Sequence, residues 1–205
     1  MLKRCRPDTG PAQRCWRSIA EQILADAPER FALAGLSMGV YLALEIMSVA
    51  PQRVSRLALL DGKARLDTAE ELAARHALLK MADDGHYLNI TLDVLLTRLV
   101  AAGRALEPDL RDTIVKMATD TGVAVFRRQM AAIINRPDYL PRLQDISCQT
   151  LVLTGCEDVI TPPEYAREMA RLIPHAKLEL IAGSGHLATL EAPDDVNAIM
   201  RQWLG

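Results

Sequence analysis

The chain has no excess of charge of either sign: 24 Lys and Arg stand against 26 Asp and Glu, and the formal net charge is −2. Acids and bases are interleaved along its length. There is thus no broad basic field to hold a nucleic acid and no polybasic patch to hold a membrane surface, and a small-molecule or protein partner is expected. Cysteine is sparse as well. Cys5, Cys15, Cys148 and Cys156 show no CxxC spacing and no histidines at zinc-finger distances, so neither a metal site nor a disulfide framework is indicated. Reduced thiols in a cytosolic protein are the expectation. Long apolar runs are missing too. No stretch reaches the length needed to span a bilayer, and the basic residues Lys3, Arg4, Arg6, Arg14 and Arg17 are not followed by the apolar region of a secretory signal. Internal repeats and low-complexity linkers are also lacking.

What is present suits one folded domain, or one domain with a modest insertion. Half of the 205 residues are hydrophobic, enough to bury a substantial core. Residues 14–27 place Trp16, Ile19, Ala20, Ile23, Leu24 and Ala27 at helical spacing before Pro28, which predicts an amphipathic helix. A strand at 31–35, a helix at 38–50 closed by Pro51, and a strand at 53–60 ending in LALL and Asp61 follow. This alternation indicates a parallel α/β sheet. Residues 67–136 differ: they are rich in Ala, Leu and Arg, with helical periodicity near 69–82, 87–102, 109–119 and 121–135. Breaks fall at Gly85, Gly103, Pro108 and Gly122. A four-helix insertion into a core of 1–66 and 137–205 is expected. Alternation resumes with a strand at 150–154, a helix at 162–172, a strand at 177–181 and a helix at 193–203, with Pro162 and Pro193 in first helical turns.

Within FALAGLSMGVYLALEI, Ser37 lies between Gly35 and Gly39 where an apolar strand turns into an apolar helix. Such a turn strains the backbone at the serine and needs small neighbours, and it holds the hydroxyl out at the tip. A GxSxG match alone is weak, and a serine there can also serve as a helix N-cap. A serine hydroxyl becomes a useful nucleophile only with a base in hydrogen-bond reach and an acid to orient that base. Of the four histidines, His76 and His86 fall in the helical insertion and His175 on a polar turn. His186 follows the strand LELIA through Gly183, Ser184 and Gly185, beyond a strand's carboxyl end, where open α/β sheets carry their sites. Asp158 occupies the equivalent place after TLVLT, with Glu157 its one close rival. As alternatives to catalysis, Asp158 would shape its loop or cap the next helix, and His186 would be a structural loop residue. Glu191 reads as packing or capping near the last helix. The methionines, including Met47 and Met169, read as core filler, with Met38 lining a pocket behind the serine.

Ser37, Asp158 and His186 come in the order serine, acid, histidine, each after a strand of one presumed sheet. With AGLSMG, PQRVSRLALLD, TGCEDVITPP and IPHAKLELIAGSGHLATLEAPDDVNAIMRQWL, the chain resembles the α/β-hydrolase-fold proteins of the esterase, lactonase and cofactor-free haloperoxidase kind, from about residue 16 onward. The resemblance implies Ser37 as nucleophile, Asp158 as acid and His186 as general base. It also implies the backbone amide of Met38 as one oxyanion donor, residues 67–136 as a cap over the pocket, and no metal or organic cofactor. The expected reaction is cleavage of a small ester, thioester or lactone. Carbon–carbon bond hydrolysis or perhydrolysis on the same residues is the alternative within enzymes, and a noncatalytic ligand-binding or scaffold protein the alternative outside them. Two departures stand out. Val40 replaces a second glycine that often follows the elbow, which should alter helix packing. Relatives also carry strands and a second oxyanion loop ahead of the first helix, where only MLKRCRPDTGPAQ precedes it here. An N-terminally shortened hydrolase is therefore expected, its apolar strand FALAG lacking one neighbour unless another chain completes the sheet.

Overall fold

A computed structural model describes residues 11–205, with side chains from Trp16 onward. Residues 1–10, Cys5 among them, and the side chain of Cys15 lie outside it. Four parallel strands form one sheet in the order β1 (Phe31–Leu36), β2 (Val54–Leu60), β3 (Gln149–Gly155), β4 (Lys177–Ile181). Parallel neighbours require crossovers, because a parallel strand must start again from the same end. α2 (Met38–Val49) carries the chain from β1 to β2, and α7 (Pro163–Leu172) from β3 to β4. α1 (Pro11–Asp26) precedes the sheet, and α8 (Ala188–Glu191) and α9 (Pro193–Leu204) follow it.

β2 and β3 are central and hydrophobic on both faces, as strands covered on both sides must be. Side chains alternate across a strand, so Leu57 and Leu59 pack with α1, α2 and α7 while Ala58 and Leu60 pack with Ala188, Val196 and Trp203 of α8 and α9. Pro193 opens α9 at its first position as expected. Helix α7 starts one residue later than predicted: Pro162 has φ −48° and ψ 150°, an extended conformation before the first turn, and Pro163 takes the first helical position. Short α8 was not apparent in the periodicity.

β1 is the edge of the sheet among the described residues, paired with β2 alone, and its Ala32 and Ala34 are exposed. The apolar run FALAG reads as a central strand; here its outer backbone groups have no ladder partner among the described residues.

All the regular structure of residues 67–136 is helical. α3 (Ala69–Asp83) begins with a capping box in which the Thr68 hydroxyl accepts from the Glu71 amide at 3.2 Å and the Glu71 carboxylate accepts from the Thr68 amide at 2.7 Å. The predicted helix at 87–102 is less regular than its periodicity suggests. It runs as α4 (Tyr87–Asn89), a wide π-type segment (Ile90–Leu95) and α5 (Leu96–Leu99). The two helices expected at 109–119 and 121–135 form α6 (Pro108–Ile134), kinked at Gly122, whose φ of 70° only glycine adopts without strain.

The two ends of this helical segment meet on a buried ionic cluster. The Arg136 guanidinium, fully buried, donates to both carboxylate oxygens of Asp67 at 2.9 Å and to the carbonyls of Arg65 and Ile133 at 2.8 Å. Lys63 Nζ lies 2.9 Å from Asp67 and 2.6 Å from Glu71. Burial pushes the Asp67 carboxyl up, but the bonds from Arg136, Arg75 and Lys63 outweigh it and hold Asp67 well below the usual carboxylate range. Arg136 also lies over the Tyr41 ring, which fastens the cluster to α2. No helix among the described residues is long and apolar enough to cross a membrane.

Candidate active site

Ser37 has φ 52° and ψ −113°, a strained backbone for a residue with a Cβ. The strain comes from bringing β1 directly into α2. A Cβ on Gly35 would meet the Gly39 carbonyl oxygen at 2.3 Å, so glycine is required there. Gly39 is different, since a Cβ on it would meet nothing within 4 Å. The motif's second glycine is thus not enforced by contact with the described residues. Val40, the departure after it, is buried with its methyls against Gly62, where a Cβ would approach to 2.5 Å. Its consequence is helix–strand packing, as the sequence suggests.

Backbone bonds align the strand ends that carry the site. The Ser37 amide donates to the Leu60 carbonyl, Asp61 to Leu153, and Cys156 to Ile181, at 2.9, 2.9 and 2.8 Å. The three candidate residues meet above this edge. Ser37 Oγ lies 2.7 Å from His186 Nε2, and His186 Nδ1 lies 2.8 Å from Asp158 Oδ2. The surrounding acceptors assign the proton of the neutral ring to Nδ1, which donates to Asp158, and leave Nε2 to accept from the Ser37 hydroxyl. Ser37 occupies the N-cap position of α2 but makes no side-chain cap bond; its hydroxyl is turned to the imidazole instead. His186 and Asp158 are 3% and 2% exposed, whereas Ser37 is half-buried and within reach of a ligand.

Asp158 also shapes its own loop, because Oδ1 accepts from the amides of Ile160 and Thr161 at 2.8 and 2.9 Å. The Thr161 hydroxyl donates to Oδ2 at 2.7 Å. Burial raises the pKa of this carboxyl, but the hydrogen bond and charge of His186, with the Thr161 bonds, outweigh burial and keep it below its ordinary range. Glu157, the rival acid, points elsewhere and accepts from the Ala102 amide at 3.2 Å. His76, His86 and His175 are exposed and outside the cluster. Met38 is the first residue of α2, so its amide has no acceptor within the helix. Cys148 and Cys156 are free thiols.

Three supporting residues were not picked out from the sequence. Thr161 lies in the loop TGCEDVITPP, but only the folded turn brings its hydroxyl to Asp158. Glu191, read as a packing or capping residue, is buried with Oε1 accepting from the Gly185 amide at 2.8 Å and Oε2 from the Ala101 amide at 2.7 Å. It joins the His186 loop to the helical segment, and the Leu187 amide adds a bond to the Leu99 carbonyl. Asp61, at the carboxyl end of β2, is the third. An acid directly after LALL, one strand over from Ser37, was the available signal.

A half-exposed serine hydroxyl bonded to a buried imidazole, itself bonded to a buried carboxylate, is an arrangement able to carry out acyl transfer. Its position at the carboxyl ends of parallel strands defines the class as an α/β protein with an elbow-borne serine. Residues 4–199 match the model of the alpha/beta hydrolase family. The chain is 33% identical over 187 residues to a putative non-heme bromoperoxidase, BpoC, of Mycobacterium tuberculosis, covering 85% of this chain and 67% of that one. It is 26% identical over 173 residues to the (E)-2-((N-methylformamido)methylene)succinate hydrolase of Acinetobacter baylyi, covering 84% and 64%. Among solved structures, a thermophilic esterase from Thermogutta terrifontis superposes with a TM-score of 0.84 at 28% identity, covering 98% of this chain and 74% of that one. The chain belongs to the alpha/beta hydrolase family, and it spans about two-thirds of the length of these two curated relatives.

Proposed function

We propose that the protein is a serine hydrolase acting on a small ester, thioester or lactone. The observation that carries this reading is the 2.7 Å approach of Ser37 Oγ to His186 Nε2, with Asp158 at 2.8 Å on the other ring nitrogen. Ser37 attacks the substrate carbonyl as His186 takes its proton. Asp158 holds the ring in the required tautomer and stabilises the imidazolium that forms. The carbonyl oxygen becomes negative and the amide of Met38, which has no acceptor within its helix, donates to it. Collapse expels the alcohol, thiol or lactone oxygen, which takes the proton from His186, and leaves an acyl group on Ser37. Water activated by the same imidazole then releases the acid. The helical segment at 67–136 serves as a cap over the substrate, fastened to the His186 loop through Glu191 and Leu187. The likeness to a protein named an esterase supports the reaction class. Perhydrolysis on the same residues is the second reading, favoured by the likeness to a putative non-heme bromoperoxidase.

Labelling by a fluorophosphonate and turnover of a short p-nitrophenyl ester test the reading together. Ser37 is expected to be the labelled residue, and Ser37→Ala to lose both labelling and turnover. Equal turnover by the parent and Ser37→Ala, or a folded parent that resists the probe while a control esterase reacts, would favour a noncatalytic ligand-binding role.

A further inference from the structure

Asp61 is fully buried at the carboxyl end of β2, between the strand that presents Ser37 and the strand that leads to Asp158. Its backbone has φ 46°, in the left-handed region. Among the described residues only Ser37, Asp61 and His175 combine a positive φ with a side chain beyond hydrogen, and two of the three stand at this site. Strain of this kind persists where surrounding structure holds it, and aspartate and asparagine tolerate it better than most residues. The side chain reaches across the strand ends. Oδ1 accepts from the Gly155 amide at 3.0 Å, where the Asp158 loop begins, and Oδ2 from the Ala188 amide at 3.3 Å, two residues past His186.

We propose that Asp61 is a positioning residue whose ionised carboxylate ties the acid loop to the histidine loop and places a second negative charge behind His186. This inference rests on the hydrolase reading for its kinetic consequence. The ionised carboxylate accepts from both amides more strongly than the neutral acid would, because protonation removes the charge and turns one oxygen into a hydroxyl donor that is a poorer acceptor. The charge also favours the imidazolium formed as Ser37 loses its proton.

The titratable groups that face Asp61 are His186, from the loop after β4, and Asp158, from the loop after β3. Burial pushes Asp61 up most, and the charge of Asp158 adds to this. The charge of His186 and the two amide bonds pull it down, and the balance lies at about 7. Asp158 is held low by the hydrogen bond and charge of the same imidazole, so the two carboxyls are driven apart.

Asp61→Asn tests this, because asparagine accepts the backbone conformation and resembles the protonated acid at every pH. The parent is expected to exceed the variant about tenfold in kcat at about pH 8.5, with KM within about twofold. That ratio should fall toward one below about pH 5.5, where the parent is itself protonated. A purely structural residue would give a ratio constant with pH, and that outcome overturns the inference. Amide resonances provide a reading independent of turnover. Those of Gly155 and Ala188 should titrate together near neutral pH in the parent and not in Asp61→Asn. If neither titrates in the parent, Asp61 has no such role. If they titrate but no Ser37-dependent turnover exists, the hydrolase reading fails and the tie by Asp61 stands.

Discussion

Gly155→Ala is the sharpest test of how the site is held. Gly155 ends β3 just before the Asp158 loop, and a Cβ there would lie 2.1 Å from the Gly185 carbonyl oxygen and 2.3 Å from that of Ser184. Ordinary contact begins at 3.4 Å, so the histidine loop must retreat by about 1.3 Å. Both contacts are backbone, pinned by the Glu157 amide donating to the Ser184 carbonyl at 2.8 Å and by Glu191 on the Gly185 amide. Rotation of a side chain cannot relieve them. His186 is the next residue, and a displacement of that size separates its ring from Ser37, Asp158 or both. A misplacement of about 1 Å costs roughly a hundredfold in rate, and strain in a closely packed interior costs about 1–3 kcal/mol of stability. The expected result is an approximately hundredfold fall in Ser37-dependent ester turnover, with a melting temperature lowered by several degrees. Gly39→Ala is the control. It meets nothing within 4 Å among the described residues and lies in a helix, where alanine is favoured over glycine by about 0.5–1 kcal/mol. It should be folded and active. A Gly155→Ala enzyme as fast as the parent would refute the claim that close approach of these two loops sets the geometry.

Two further predictions concern the ionic cluster beneath the helical segment. Arg136→Met leaves the buried Asp67 without its bidentate partner and should cost about 3 kcal/mol or more, or roughly 10 °C in Tm for a domain of this size. A shift under about 2 °C in thermal unfolding would mean that the cluster does not hold the segment's ends. The second follows from pKa direction. Asp67 and Asp158 are both held below the ordinary carboxylate range, so the stability they contribute is fully present above about pH 4 and is lost as pH falls through their folded-state values. Chemical-denaturation midpoints should therefore drop steeply below about pH 4, and less steeply in Asp67→Asn. Parallel curves for the two proteins would contradict this sign.

Much of the sheet was legible because parallel strands buried on both faces must be continuously apolar. LALL and LVLT can hardly be anything else in such a context. The crossover helices were legible from prolines and from 3.6-residue spacing. Less legible was the stretch at 87–102, where apolar periodicity predicts one helix and the backbone widens at Ile90–Leu95. Periodicity reports which face is buried and is insensitive to the hydrogen-bond register beneath it. Gly39 shows the opposite limit. The GxSxG pattern treats its two glycines alike, yet only Gly35 meets the opposing backbone.

By itself, the sequence determined the parallel α/β class and the strand ends where a serine, an acid and a histidine would stand, because strand burial and loop position are local properties of the chain. Sequence position favoured Asp158 over Glu157, but only the tertiary structure shows that Asp158 bonds His186 while Glu157 leaves the same loop toward the Ala102 amide. Tertiary structure alone brought Asp61, Thr161 and Glu191 to the site, since a carboxylate's partners, its burial and its charge state depend on residues distant in the chain.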